Sequence, residues 1–65
     1  MKVTRLTWAC GIHEFNIDYW RDRITDGEKE MEQHYMNCLG IEASGHTFQE
    51  CCEDMITKIR KKYQV

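Results

Sequence analysis

Seven side chains of this 65-residue chain could ligate a metal or act as nucleophiles: Cys10, His13, His34, Cys38, His46, Cys51 and Cys52. Cys10-x-x-His13 has the spacing of half a tetrahedral zinc site. A structural site normally takes a second compact knuckle, and the remaining candidates are scattered, so a zinc or redox module is the lesser reading. Thiol catalysis needs a thiolate favoured by a base or a helix N-terminus. Cys51 and Cys52 follow His46 near the start of a helical pattern, but Glu50, Glu53 and Asp54 surround them, and negative neighbours disfavour a thiolate. Cys51 and Cys52 are adjacent in sequence and poorly placed to bridge each other. Cys38 and at least one of that pair therefore read as reduced, apolar core residues. The carboxylates fall on solvated faces or at a helix start, and no phosphate-cradling glycine motif is present. No catalytic residue, metal or cofactor is implied, and the expectation is a protein that is not an enzyme.

Composition bounds the rest. A chain of this size buries about 60% of its unfolded surface and makes one domain, residues 1–65, with a thin core. Apolar residues make up 42% and charged residues 31%, a globular rather than a disordered balance. The net charge of −2 lacks the basic excess of a dedicated nucleic-acid binder. No apolar run approaches the ~20 residues of a membrane span and no signal-peptide pattern opens the chain, so a cytoplasmic location is expected.

Alternation supplies the elements. Residues 3–9 and 12–20 read as strands joined by a turn at Cys10-Gly11, with Trp8 against His13, Leu6 against Phe15 and Thr4 against Ile17. Asp26-Gly27 suits a type I′ turn. It would set Arg23 opposite Glu30, Arg21 opposite Glu32, Tyr19 opposite His34, Ile17 opposite Met36 and Phe15 opposite Cys38. Residues 28–40 also admit a helix, since they contain strong helix formers and no Val, Ile or Thr, with Thr25-x-x-Glu28 as a capping box. The charge register and the weakness of a lone hairpin favour a third strand. Beyond Gly45, Thr47-x-x-Glu50 opens a helix whose stripe is Phe48, Cys51, Cys52, Met55, Ile56, Ile59 and Tyr63. Its acidic start and its end at Lys58, Arg60, Lys61 and Lys62 complement the helix dipole. The expected fold is α+β, a three-stranded antiparallel sheet packed by one C-terminal helix, the alternative being a hairpin plus two helices.

In that register the uncovered face carries Val3, Arg5, Thr7, Glu14, Asn16, Asp18, Trp20, Tyr35, Asn37, Leu39 and Ile41. Exposed Trp and Tyr among polar groups are the anchors of protein interfaces. The candidate partner-binding residues are Trp20, Tyr35, Arg21, Arg23, Glu30 and Glu32, with Leu39 and Ile41 as a second patch or homodimer seam. The tip, Arg21 to Glu32, is expected to project past the helix-covered core as a mixed-charge finger.

The stretch Gly45-His46-Thr47-Phe48-Gln49-Glu50-Cys51 resembles the strand-to-helix junction of many small phage and mobile-element proteins. The hairpin at Asp26-Gly27 resembles the arm-type DNA-binding domain of tyrosine recombinases. That likeness implies DNA contact through the sheet, yet Glu28, Glu30 and Glu32 stand where the family is basic. Size, acidity and topology resemble short phage-encoded inhibitors of host enzymes and defence systems, including anti-CRISPR proteins. This second likeness implies stoichiometric binding without turnover, in a host cytoplasm, to a host protein or complex. The alternative function is a nucleic-acid or nucleotide-binding module using Arg5, Arg21, Arg23 and Trp20.

Overall fold

The computed structural model describes residues 2–64. Four strands precede one helix: β1 (Thr4–Cys10), β2 (His13–Asp26), β3 (Lys29–Cys38), β4 (Ile41–Gly45) and α1 (Phe48–Tyr63). The strands form one antiparallel sheet in the order β1-β2-β3-β4, a meander, and α1 lies over β4 and β3. The architecture is α+β with one C-terminal helix, as the sequence predicts, but the sheet has four strands rather than three. Residues 28–40 are not helical: Lys29–Asn37 pair with β2 and His34–Cys38 with β4, so the inner half of the segment has a ladder on both sides.

Both expected registers are displaced by two residues. Trp8 faces Phe15 and Leu6 faces Ile17, while Arg23 faces Glu32, Arg21 faces His34 and Tyr19 faces Met36. The glycines explain the shift. Gly11 and Gly27 have φ of +64° and +66°, whereas Ile12, Glu28 and the residue before each glycine do not have positive φ. Each glycine thus opens its two-residue loop, in the pattern of a type II′ turn, instead of closing a type I′ turn. Side chains alternate with period two, so a two-residue displacement changes every cross-strand partner and leaves the side chains of β1, β2 and β3 on their predicted faces. The loop with two positive φ values is Leu39-Gly40, at 51° and 83°. It returns the chain into β4.

Phe15, Ile17, Met36, Cys38, Ala43, Cys51, Met55 and Ile59 form the buried core. Only every fourth residue of the helical stripe is fully enclosed, namely Cys51, Met55 and Ile59. Phe48 and Tyr63 reach outward from the stripe's ends. There Phe48 sets its edge on Tyr19 at 5.0 Å and Tyr63 meets Phe15 at 5.5 Å. All four cysteines are free, with Cys38 and Cys51 buried. Burial, reinforced by Cys52 and Asp54 against the pull of Lys58, pushes the Cys51 thiol up to about 11. Burial, with Asp18 and Glu53 respectively, also raises Cys38 and Cys52.

The helix start is held as its sequence suggests, with one difference. Thr47 Oγ1 accepts from Glu50 N–H at 3.1 Å, while the Glu50 carboxylate accepts from His46 N–H at 3.0 Å rather than from Thr47. Gly45 is required by proximity: a Cβ there would lie 2.7 Å from Cys51 N and 2.8 Å from Glu50 Cβ. The last residue of β4 thus packs directly under the first turn of α1.

Candidate functional site

β2 is longer than its neighbours, and this decides what the molecule presents. β1 reaches β2 only as far as Tyr19, and β4 reaches β3 only as far as His34. Past these residues β2 and β3 continue as a bare two-stranded ribbon to Asp26 and Lys29. At ~3.3 Å per residue the ribbon overhangs by about 17 Å. The molecule measures 46 × 21 × 18 Å accordingly. Residues 21–32 are all exposed, so the expected finger projects beyond the helix.

The finger has two unlike faces. On the side continuous with the helix layer stand Arg21, Arg23, Thr25, Glu30 and Glu32. Arg23 Nη1 approaches Glu30 Oε2 at 4.0 Å, a diagonal contact with both side chains well exposed and therefore weak. On the open face Trp20 lies directly opposite Tyr35, their rings stacked at 5.8 Å and 19°. The register shift creates this contact. Further out, Ile24 lies opposite Met31 on the same face, 43% and 39% exposed. Asp22 and Gln33 pair between these two apolar steps. Trp20, Tyr35, Ile24 and Met31 therefore line one stripe running from the sheet onto the finger. Beside it, Glu42, Ser44 and Lys58 join Trp20 and Tyr35 around a shallow groove of about 370 Å³ at the β4 edge.

The root of the finger is fixed to the body. The Tyr19 hydroxyl and His34 Nδ1 share a hydrogen bond of 2.7 Å, with their rings stacked at 5.9 Å. His34 is 6% exposed and its Nε2 lies 3.8 Å from Glu32 Oε2. Phe48 covers Tyr19 from the helix. Sequence reasoning set Tyr19 opposite His34; they meet instead as diagonal neighbours, which long side chains span.

The nominated residues divide into four places. Trp20 and Tyr35 share the open face, and Arg21, Arg23, Glu30 and Glu32 share the other face of the finger. Leu39 sits in the β3–β4 turn, 69% exposed, at the far end of the sheet. Ile41 is not on the open face at all: the positive-φ turn returns it opposite Cys38, where it packs on the core. The second patch of Leu39 with Ile41 is thus not a surface. The cation set of the nucleic-acid alternative is split too, because Arg5 and Trp20 occupy one face and Arg21 and Arg23 the other, and Arg5 Nε lies 3.5 Å from Asp18. Ile24 and Met31 were missed, although each shares the parity of Trp20 and Tyr35.

Among the described residues no group of three or more His, Cys, Asp or Glu side chains gathers to hold a metal ion, and no helix is long and apolar enough to cross a membrane. Comparison with protein-family models, curated proteins and solved structures finds no match to this chain.

Proposed function

We propose that this chain is a non-enzymatic binding protein whose projecting finger docks on a partner protein and occludes a surface there. The observation that carries the reading is the apolar stripe of the open face, which runs from the half-buried Trp20–Tyr35 stack at the root to exposed Ile24 and Met31 on the two-stranded ribbon. A two-stranded ribbon gains little stability by itself, and exposed apolar pairs on it cost solubility. Contact with a second protein gives both features a purpose. Aromatic side chains are rigid anchors for such contacts, and the mixed charges behind them supply orientation and specificity. In the same reading the chain is an inhibitor of the phage or mobile-element type, acting stoichiometrically on a host protein or defence complex.

The test is co-purification from the native host, followed by titration of the recovered partner with single variants. Trp20→Ala is expected to weaken binding about 30-fold or more, the size of a ~2 kcal/mol hot spot. Arg23→Glu should slow association and flatten its salt dependence. Both variants leave the core intact, so circular dichroism should be unchanged. Full affinity in both would place recognition elsewhere.

A further inference from the structure

The two edges of the sheet are treated differently. In β4, pairing with β3 turns the backbone groups of Glu42 and Ser44 outward. Helix side chains occupy one group of each: Lys58 Nζ donates to Glu42 O at 2.8 Å, and Asp54 Oδ2 accepts from Ser44 N–H at 3.4 Å. Asp54 and Lys58 are themselves paired at 3.0 Å. The Asp54 and Lys58 side chains thus stand in the way of another strand at this edge. In β1 the outward backbone groups are those of Arg5, Thr7 and Ala9, since Cys10 closes the hairpin opposite His13. Among the described residues no side chain bonds to them. β1 runs in unbroken register against β2 and contains no Lys or Pro, the usual guards of an exposed edge.

We infer that β1 is the seam of a symmetric dimer, pairing antiparallel with β1 of a second copy about a two-fold axis at Thr7. The sequence is self-complementary in that register. Thr7 meets Thr7 and Arg5 meets Ala9 as hydrogen-bonded pairs, so the outward groups of both copies are used. Leu6 meets Trp8 of the second copy as a non-hydrogen-bonded pair, the closer kind. No like charges face each other, and Arg5 keeps its own Asp18 at 3.5 Å. Leu6 and Trp8 are half-buried on the helix side. They line an apolar groove of about 280 Å³ between β1 and α1, with Phe48, Cys52 and Ile56 on its other wall. Strand pairing carries Leu6 and Trp8 of the second copy to the mouth of that groove. A domain with so thin a core gains most from such burial. An isologous contact of this kind uses one patch on both subunits and satisfies itself in one step.

Sedimentation over a concentration series reaching the low millimolar range tests the inference. The mass should move from 7.8 kDa toward twice that value. Thr7→Lys sets two ammonium groups face to face on the axis and should raise the dissociation constant about tenfold or more. Thr7→Pro removes an outward N–H, which an isolated edge strand tolerates, and should abolish the dimer. If Thr7→Pro does not fold, Thr7→Lys, at an exposed position, decides. Isotope-filtered NOEs in a mixed labelled sample should join Leu6 of one copy to Trp8 of the other. A monomer at every concentration would overturn the inference. So would a dimer indifferent to both substitutions or one lacking the cross-copy NOE. A monomer that instead captures an unrelated extended peptide along β1 overturns it too, by assigning the edge to a different strand.

Discussion

Tyr19 is where the body of the molecule takes hold of the finger. Its hydroxyl shares the 2.7 Å hydrogen bond with buried His34, and its ring is the surface on which Phe48 rests. Removing that oxygen leaves a buried imidazole nitrogen without a partner while the ring contacts persist. Tyr19→Phe is therefore expected to cost about 1–2 kcal/mol, a fall in melting temperature of roughly 4–15 °C in a domain this small. Thermal unfolding followed by circular dichroism measures it, and an unchanged melting temperature would mean that water replaces the hydroxyl at no cost. Partner affinity per folded molecule should fall less than in Trp20→Ala, since Tyr19 lies on the helix side of the sheet and faces away from the stripe.

At the scale of elements, stability should fall from the body to the tip. Phe15–Ile17 pair with β1 and Met36 and Asn37 lie between β2 and β4, with Phe15, Ile17, Met36 and Cys38 in the core under the helix, whereas residues 22–31 have one neighbour strand and no covering layer. Amide exchange is expected to show protection highest in the first two segments and near the local-opening limit in residues 22–31. Uniform protection along β2 would mean that the finger is sheltered by something else. How much of this was legible follows from the kinds of signal involved. Period-two alternation put Trp20 and Tyr35 on one face and Arg23 and Glu30 on the other, and it survived a two-residue register error because that error preserves parity. The error itself came from reading Asp26-Gly27 as the loop, when a glycine in either loop position suits one of the two hairpin turn types. β4 was missed because Ile-Glu-Ala-Ser-Gly is short, sits between two glycines and holds one β-branched residue. Its partner strand and the helix above it make it a strand. The helix was readable from Thr47, Glu50 and the spacing of Cys51, Met55 and Ile59, which are local signals. Ile41 was misplaced for a non-local reason: the Leu39-Gly40 turn flips the strand that carries it.

Taken whole, the molecule stakes much of its stability on a few enclosed side chains, two of which are thiols. Cys51 in the folded state keeps its proton to about 11, against 9.0 for an ordinary cysteine. Between these values the unfolded chain releases a proton that the folded one retains, so unfolding gains free energy as pH rises. Urea midpoints should hold below pH about 9 and fall from there toward pH about 11. Cys51→Ala should be less stable at neutral pH by about 1–2 kcal/mol and show a flatter alkaline decline; an equal slope would assign the decline to other groups. The Asp54–Lys58 clasp on β4 has a reach beyond its own strand. A flat unit with two sticky rims can polymerise without limit into fibrils, each addition exposing a fresh rim. With one rim clasped, growth terminates once the other has been used, so the protein can meet its own kind and still stay dispersed.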